Sequence, residues 1–259
     1  MKYRIGVDLG GTNIAVGVVD EDNRIVGRAS TPTALPRSAD DIAMSIADAC
    51  AQAMADAQID KTDVLSVGVG TPGAVNSDGV VENDANLGFK NTPLRDMVMS
   101  RVGLPTYIGN DANCAALGEQ IAGAGRGTRN FFMVTLGTGI GGGIVIDGKL
   151  LTGVNGAAGE IGHMSIDFAG ETCQCGRMGC FEQYASASAL VRMAKARVLD
   201  VKCAKDVFDL AQDGDVSATD VLDLYFEYLS TGIANLINIF QPEIIALGGG
   251  IAGQGEELI

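Results

Sequence analysis

Two stretches of this chain, VDLGGTNIAVGVVD from Val7 to Asp20 and VTLGTGIGGGIVID from Val134 to Asp147, align without a gap. Val7 matches Val134, Leu9 matches Leu136, Gly10 matches Gly137, Val18 matches Val145 and Asp20 matches Asp147. Each is a β-branched, alternating run that meets a glycine cluster and starts again, the pattern of a strand, a tight turn and a returning strand. An internal copy of this kind constrains architecture, because the chain has to build the same supersecondary unit twice. The expectation is two similar α/β lobes, each opened by a glycine-tipped hairpin. The plain alternative is that two Gly/Val-rich hairpins look alike by chance.

The first lobe reads as the strands YRIGVDLG, NIAVGVVD and RIVGRAST. A helix comes next, with Ser38 as N-cap and Ile42, Ile46, Ala49, Cys50 and Ala53 at helical spacing. VLSVGVG is a short buried strand; then come a helix near Pro93–Val102, the strand PTYIGN and a helix from Asp111. The order is βββαβαβα. Lobes over 1–122 and 123–259 are expected, the second with an insertion over about 152–215. A long helix then presents Leu222, Phe226, Leu229, Ile233, Leu236, Ile237 and Phe240 on one face and stops at Gln241-Pro242. EIIALGGG is a strand running into three glycines. A full second copy would continue with a helix, a strand and a further helix, so the sequence reads as a C-terminally shortened version of its own plan.

With 259 residues, 47% of them hydrophobic, the chain can fill two cores. A formal net charge of −14 opposes nucleic acid or an anionic membrane surface as a partner. No run approaches the ~18 apolar residues of a membrane span. MKYRIGVDLGGT meets Asp8 before a signal-like apolar core develops. A cytoplasmic protein is expected, and in a reducing compartment clustered cysteines favour metal ligation over disulfides.

LGTGIGGG contains G-x-G-x-x-G at Gly137, Gly139 and Gly142, but the adjoining GIVIDGKL alternates like a strand, so a dinucleotide-binding helix start is rejected. Glycine tips do allow close approach by an anion, and successive N–H groups can cradle phosphate oxygens. Asp8 beside such a cradle needs a divalent cation between carboxylate and phosphate, an arrangement that suits Mg²⁺. Thr12 and Thr138 add hydroxyls at the two tips, and Gly248 to Gly250 add a third glycine cluster. Each hairpin alone is a tight turn; the pair favours a bound nucleotide. Asn110 and Asp111 fall where a strand ends and a helix starts. Asp111 is either the helix N-cap or a general base for an attacking hydroxyl.

His163 precedes Cys173, Cys175 and Cys180 in the spacing H-x9-C-x-C-x4-C. One imidazole and three thiolates make the tetrahedral shell of structural zinc, with a redox or disulfide pair as the alternative. Such an ion would gather Glu160 and Glu182 into one region, where carboxylates accept from the hydroxyls of a carbohydrate and Asn86 and Asn110 add amides. The alternative for each glutamate is an exposed surface charge.

Together, DLGGTN, GNDANCAALGE, LGTGIGGG, GAAGEIGHMS, CQCGRMGCFEQYASASAL and LGGG resemble the ROK family of sugar kinases, repressors and open reading frames, in particular its bacterial glucokinase branch. The likeness covers essentially the whole chain. It implies the actin-like, RNase H-like two-lobed ATPase fold, a homodimer or homotetramer, a structural Zn²⁺, and ATP with Mg²⁺. It also implies Asp111 as catalytic base, and Gly73, Asn86, Asn110, Glu160, His163 and Glu182 as sugar contacts. Asp8, Gly10, Gly11, Thr12, Gly137 and Thr138 become phosphate and Mg²⁺ elements, and Gly249 and Gly250 lie on the nucleoside side. The implied reaction is ATP-dependent phosphorylation of a hexose, glucose first, with N-acetylglucosamine, N-acetylmannosamine and fructose as rival acceptors and polyphosphate as a rival donor. A sugar-sensing repressor and a non-catalytic sugar-binding protein are the readings from other classes. Family members continue beyond the GGG strand, so the resemblance implies either a fragment or a chain whose nucleotide grip is weakened.

Overall fold

The strand β1 (Tyr3–Leu9) buries Ile5, Val7 and Leu9 and leaves Arg4, Gly6 and Asp8 outward, the period-2 alternation of a strand with one covered face. It pairs antiparallel with β2 (Asn13–Val19), which pairs with β3 (Ile25–Pro32). The helix α1 (Ala39–Asp56) starts as expected: Ser38 Oγ accepts from the Asp41 N–H, and Ile42, Ile46, Ala49, Cys50 and Ala53 are buried. The chain returns in β4 (Val64–Thr71), parallel to β1, and reaches β5 (Ala74–Val75), β6 (Val81–Asp84) and β7 (Phe89–Thr92). Next come α2 (Leu94–Val102), closed by Gly103 in the left-handed region at φ 64°, then β8 (Thr106–Asn110), parallel to β4, and α3 (Asp111–Ala122).

Residue pattern alone does not reveal β5, β6 and β7, which form a small antiparallel sheet of their own. They are two to four residues long and are held by turn chemistry. Asn76 Oδ1 accepts from the N–H groups of Asp78 and Val80, and the buried Asp84 carboxylate accepts from those of Asn86 and Leu87.

The second hairpin is β9 (Phe131–Leu136) and β10 (Ile140–Ile146), followed by β11 (Lys149–Leu150). Later come α4 (Glu182–Ala185), α5 (Ala187–Ala196), α6 (Ala204–Gln212), α7 (Val216–Phe240) and β12 (Ile244–Gly248), which runs parallel to β9. Asp215 caps α7 by accepting from the Ala218 N–H, and Gln241 ends it at φ 47° before Pro242. The buried face of α7 is Val221, Leu222, Tyr225, Leu229, Gly232 and Leu236. Ile237, expected on that face, is exposed, because the apolar stripe turns with Tyr225 and Gly232 instead.

The computed structural model describes residues 1–84 and 86–258. These form two compact units, Met1–Ala115 with Thr152–Ala158, and Ala116–Leu151 with Gly159–Ile259; the change of unit falls within α3. The large sheet of the first runs β3-β2-β1-β4-β8, and that of the second β11-β10-β9-β12, the same order over its first four positions. This is the duplicated α/β plan of the actin-like, RNase H-like fold. Among the described residues the second sheet has no strand beyond β12.

The copies differ by one residue at the tip. Leu9 faces Ile14 across the first hairpin, whereas Leu136 faces Ile140, so the second turn is one residue shorter. Val18 therefore corresponds in pairing to Ile144, opposite Phe132, and the gapless alignment with Val145 is out of register on the returning strand. No helix among the described residues is long and apolar enough to cross a membrane.

Candidate active site and metal centre

In the first unit, β1, β4 and β8 are parallel, and the expected residues collect at their carboxyl ends, where open α/β sheets place ligands. Asp8 pairs with Gly70 and Thr71 with Asn110, so Asp8, Thr71 and the Asn110-Asp111 step share one edge. Loss of water and then repulsion from the Asp111 carboxylate hold the Asp8 carboxyl above its ordinary 3.8. The Cys114 thiol, one helical turn into α3, is also raised, first by burial and then by Asp111 and Asp8. Two carboxylates that repel at a strand edge have the donor chemistry for Mg²⁺, which takes one or two carboxylates alongside water and phosphate oxygens.

The capping role considered for Asp111 belongs to its neighbour. Asn110 Oδ1 accepts from the Asn113 N–H at 3.1 Å, and its amide donates to the Gly73 carbonyl at 3.3 Å. Asp111 is the first residue of α3, and only its Oδ1 is engaged, by the Ala112 N–H at 2.8 Å among the described residues. Gly73 lies at φ +87°, and a Cβ there would come within 2.5 Å of the Asn83 carbonyl, so the fold itself requires this glycine. Gly11 is different. Its backbone is not left-handed, and a Cβ would meet nothing nearer than Asn86 Cβ at 3.9 Å. That contact places Asn86 beside the tip that carries the exposed Gly11 and Thr12. Gly10 is tighter, donating to the Asn13 carbonyl at 2.9 Å.

In the second unit, Gly137 and Thr138 form the tip between β9 and β10. Gly137 and Gly250 would both accept a Cβ without a clash, at positions where nothing in the fold demands glycine. Gly249, at φ +89°, packs on the backbone of Leu136 and is glycine for structural reasons.

His163 ends a 3₁₀ turn (Ile161–His163) that starts after the exposed Glu160, a spacing at which side chains eclipse. Its Nδ1 is 3.6 Å from Cys173 Sγ, Cys175 Sγ is 3.5 Å from Cys180 Sγ, and the four ligand atoms all lie within 4.8 Å of one another. A tetrahedron with zinc–sulfur bonds of ~2.3 Å has edges of about 3.8 Å, so the donor set fits Zn²⁺. The chain turns back between Cys175 and Cys180, where Gly176 and Gly179 take positive φ, and the Cys173 N–H donates to the Arg177 carbonyl at 2.8 Å. In the protein groups alone, burial and the neighbouring sulfurs push the Cys180 thiol up to about 12, which a dication among them would reverse.

Glu182 opens α4 two residues after Cys180, and its Oε2 accepts from the Ile140 N–H at 3.1 Å. Nothing in the residue pattern signals this contact. Nor does the pattern show that Gly139 and Gly142, noted in the sequence only within the rejected G-x-G-x-x-G match, make room for Glu182 and Ile161 respectively. A helical glutamate and a glycine pair on a distant strand carry no mutual signal in one sequence.

The ROK family model matches residues 4–258. The glucokinase of Halalkalibacterium halodurans is 39% identical over 274 residues, covering 100% of this chain and 83% of that protein. A putative xylose repressor from Caldicellulosiruptor is 34% identical, covering 97% of this chain and 67% of its own length. Among solved structures, a ROK family glucokinase from Streptomyces griseus in complex with glucose and AMPPNP superposes with a TM-score of 0.84 at 39% identity, over 99% of this chain and 86% of that one. With a family match spanning nearly every residue and a relative 39% identical over the whole of this chain, this chain belongs to the ROK family.

Proposed function

We propose that this chain is a glucokinase-type sugar kinase that transfers the γ-phosphoryl group of ATP to the 6-hydroxyl of a hexose, with glucose as acceptor. The observation that carries the reading is Asp111 Oδ2, which has no hydrogen-bond partner among the described residues: Asn110 caps α3, and this oxygen is left at the carboxyl end of β8 beside Asp8. In this reading Asp111 Oδ2 takes the proton of the 6-hydroxyl. That oxygen bonds to the γ-phosphorus, the bond from phosphorus to the β–γ bridging oxygen breaks, and ADP leaves with the electron pair. Gly10, Gly11, Thr12, Gly137 and Thr138 hold phosphates, and Gly249 and Gly250 the nucleoside side. Mg²⁺, held on the Asp8 side, supplies charge neutralisation for the phosphate oxygens when bound.

Glu160, His163 and Glu182, with Asn110, Asn86 and Gly73, recognise sugar hydroxyls. His163, Cys173, Cys175 and Cys180 hold a structural Zn²⁺ that fixes the loop carrying two of those contacts. A homodimer or homotetramer working in the cytoplasm, where ATP is available, completes the reading. A net charge of −14 argues against the DNA-binding role of the repressor relatives.

The deciding experiment is coupled ADP release with and without sugar. Release that depends on glucose supports the reading, and faster release with N-acetylglucosamine, N-acetylmannosamine or fructose reassigns the acceptor. No sugar-dependent release with any of the four overturns it and leaves a binding protein.

A further inference from the structure

The proposed kinase function puts phosphate contacts at Gly137 and Thr138 and sugar contacts on Glu160, His163 and Glu182. We infer that Gly139 and Glu182 form a latch that couples sugar binding to the phosphate-holding hairpin, an inference that rests on that function. Glu182 Oε2 accepts from the Ile140 N–H, a charge-assisted bond to the first residue of β10. A Cβ on Gly139 would stand 2.1 Å from the same oxygen. The Gly139 backbone is not left-handed, so its conformation would admit an alanine. What excludes a side chain there is the carboxylate of Glu182.

Further contacts hold the same hairpin. The Ala187 N–H, just beyond α4, donates to the Gly137 carbonyl at 2.8 Å. A Cβ at Gly162 would come within 2.2 Å of the Ile140 carbonyl, and one at Gly142 within 2.5 Å of the Ile161 side chain. Residues 137–142 are thus clasped by both segments that carry the proposed sugar contacts. A hydroxyl engaging the other oxygen of Glu182 would fix the carboxylate, and with it the Ile140 N–H and the tip. A nucleotide then meets a tip already ordered, and by linkage it must tighten sugar binding in return.

Gly139→Ala is a clean probe, because the only group that its methyl displaces is the flexible end of Glu182. The measurement is AMPPNP affinity by calorimetry on zinc-loaded protein, with and without saturating glucose. Wild type should show tightening by glucose of about fivefold or more. G139A should bring that ratio close to one while keeping its zinc and its melting temperature. Glu182→Gln, whose amide oxygen can still accept from Ile140, should weaken glucose binding yet keep the ratio, whereas Glu182→Ala should lose both. If G139A fails to fold, the contrast between E182Q and E182A decides. A wild-type ratio of one, or G139A or E182A with the wild-type ratio, overturns the latch. Glucose-dependent ADP release in that event leaves the kinase function standing, and its absence removes that function itself.

Discussion

Asp111→Asn separates chemistry from folding at the start of α3. The substitution keeps an oxygen for the Ala112 N–H and leaves the Asn110 cap untouched. Two electrostatic changes oppose each other. Losing a carboxylate from a helix N-terminus costs roughly 0.3–1 kcal/mol, and relieving its repulsion of Asp8 returns roughly 0.2–1 kcal/mol. The net change should stay below about 1 kcal/mol, within about 4 °C of melting temperature for units of this size. Asn110→Ala should instead lose roughly 0.5–2 kcal/mol by uncapping the helix.

Catalysis should divide the other way: D111N should lower kcat by about 10²–10⁴, or roughly 3–5 kcal/mol of barrier, with glucose affinity near normal. Asp8 supplies an independent readout. Its folded pKa is raised, so the folded state holds this proton more tightly than the unfolded chain. Stability therefore falls as pH rises from 3.8 through the folded value, and the penalty is complete above it. In D111N the Asp8 midpoint, followed by carboxyl NMR, should move down toward 3.8, though not fully, since burial remains its larger cause. Near-normal kcat in D111N, or a loss of stability matching N110A, would refute the assignment of cap to Asn110 and base to Asp111.

Cys175→Ser should take zinc from stoichiometric to trace in a metal assay, and raise the KM for glucose more than it lowers kcat, because in the proposed reading the ion only positions His163 and Glu182. Gly232→Ala would drive a methyl to within 2.3 Å of the Phe181 ring, which is fully buried between Cys180 and Glu182. Overpacking of this kind costs about 1–3 kcal/mol, visible as a drop of roughly 2–12 °C in melting temperature, together with a higher KM for glucose.

Much of the fold and the site is legible in one sequence because the signals are local. Alternation places β1 and β2, a short apolar run places β4, Ser38 and Gln241-Pro242 bound their helices, and the histidine–cysteine spacing assembles as a four-ligand cluster. The failures have equally physical causes. Strands of two to four residues stabilised by Asn76 and Asp84 look like loops, because their turn chemistry outweighs any periodicity. Residue preference alone allows the cap to fall on Asp111, since Asn and Asp rank alike at that position and only the hydrogen bonds distinguish them.

The glycines at and after the second tip say most about how the two copies diverged. On β2, Asn13 and Ala15 are exposed, so one face is open toward the tip. On β10, the consecutive residues Ile144 and Val145 are both buried, at 4% and 0% exposure, so both faces are covered. A strand covered on its second face by a close backbone has no room for alternate side chains. Gly142, with the Gly159 carbonyl 2.9 Å from where its Cβ would be, meets that constraint. The shorter tip belongs to the same change: removing one residue puts the Ile140 N–H directly opposite Leu136, at the end of the hairpin where Glu182 reaches it. The glycine run that looks like a phosphate cradle is therefore divided. Gly137 is left open at the tip, while Gly139 and Gly142 admit Glu182 and Ile161, which flank the histidine–cysteine cluster, to the strand behind it. In this copy the sequence of the hairpin is set as much by the segment that carries Glu182 and Ile161 as by its own turn.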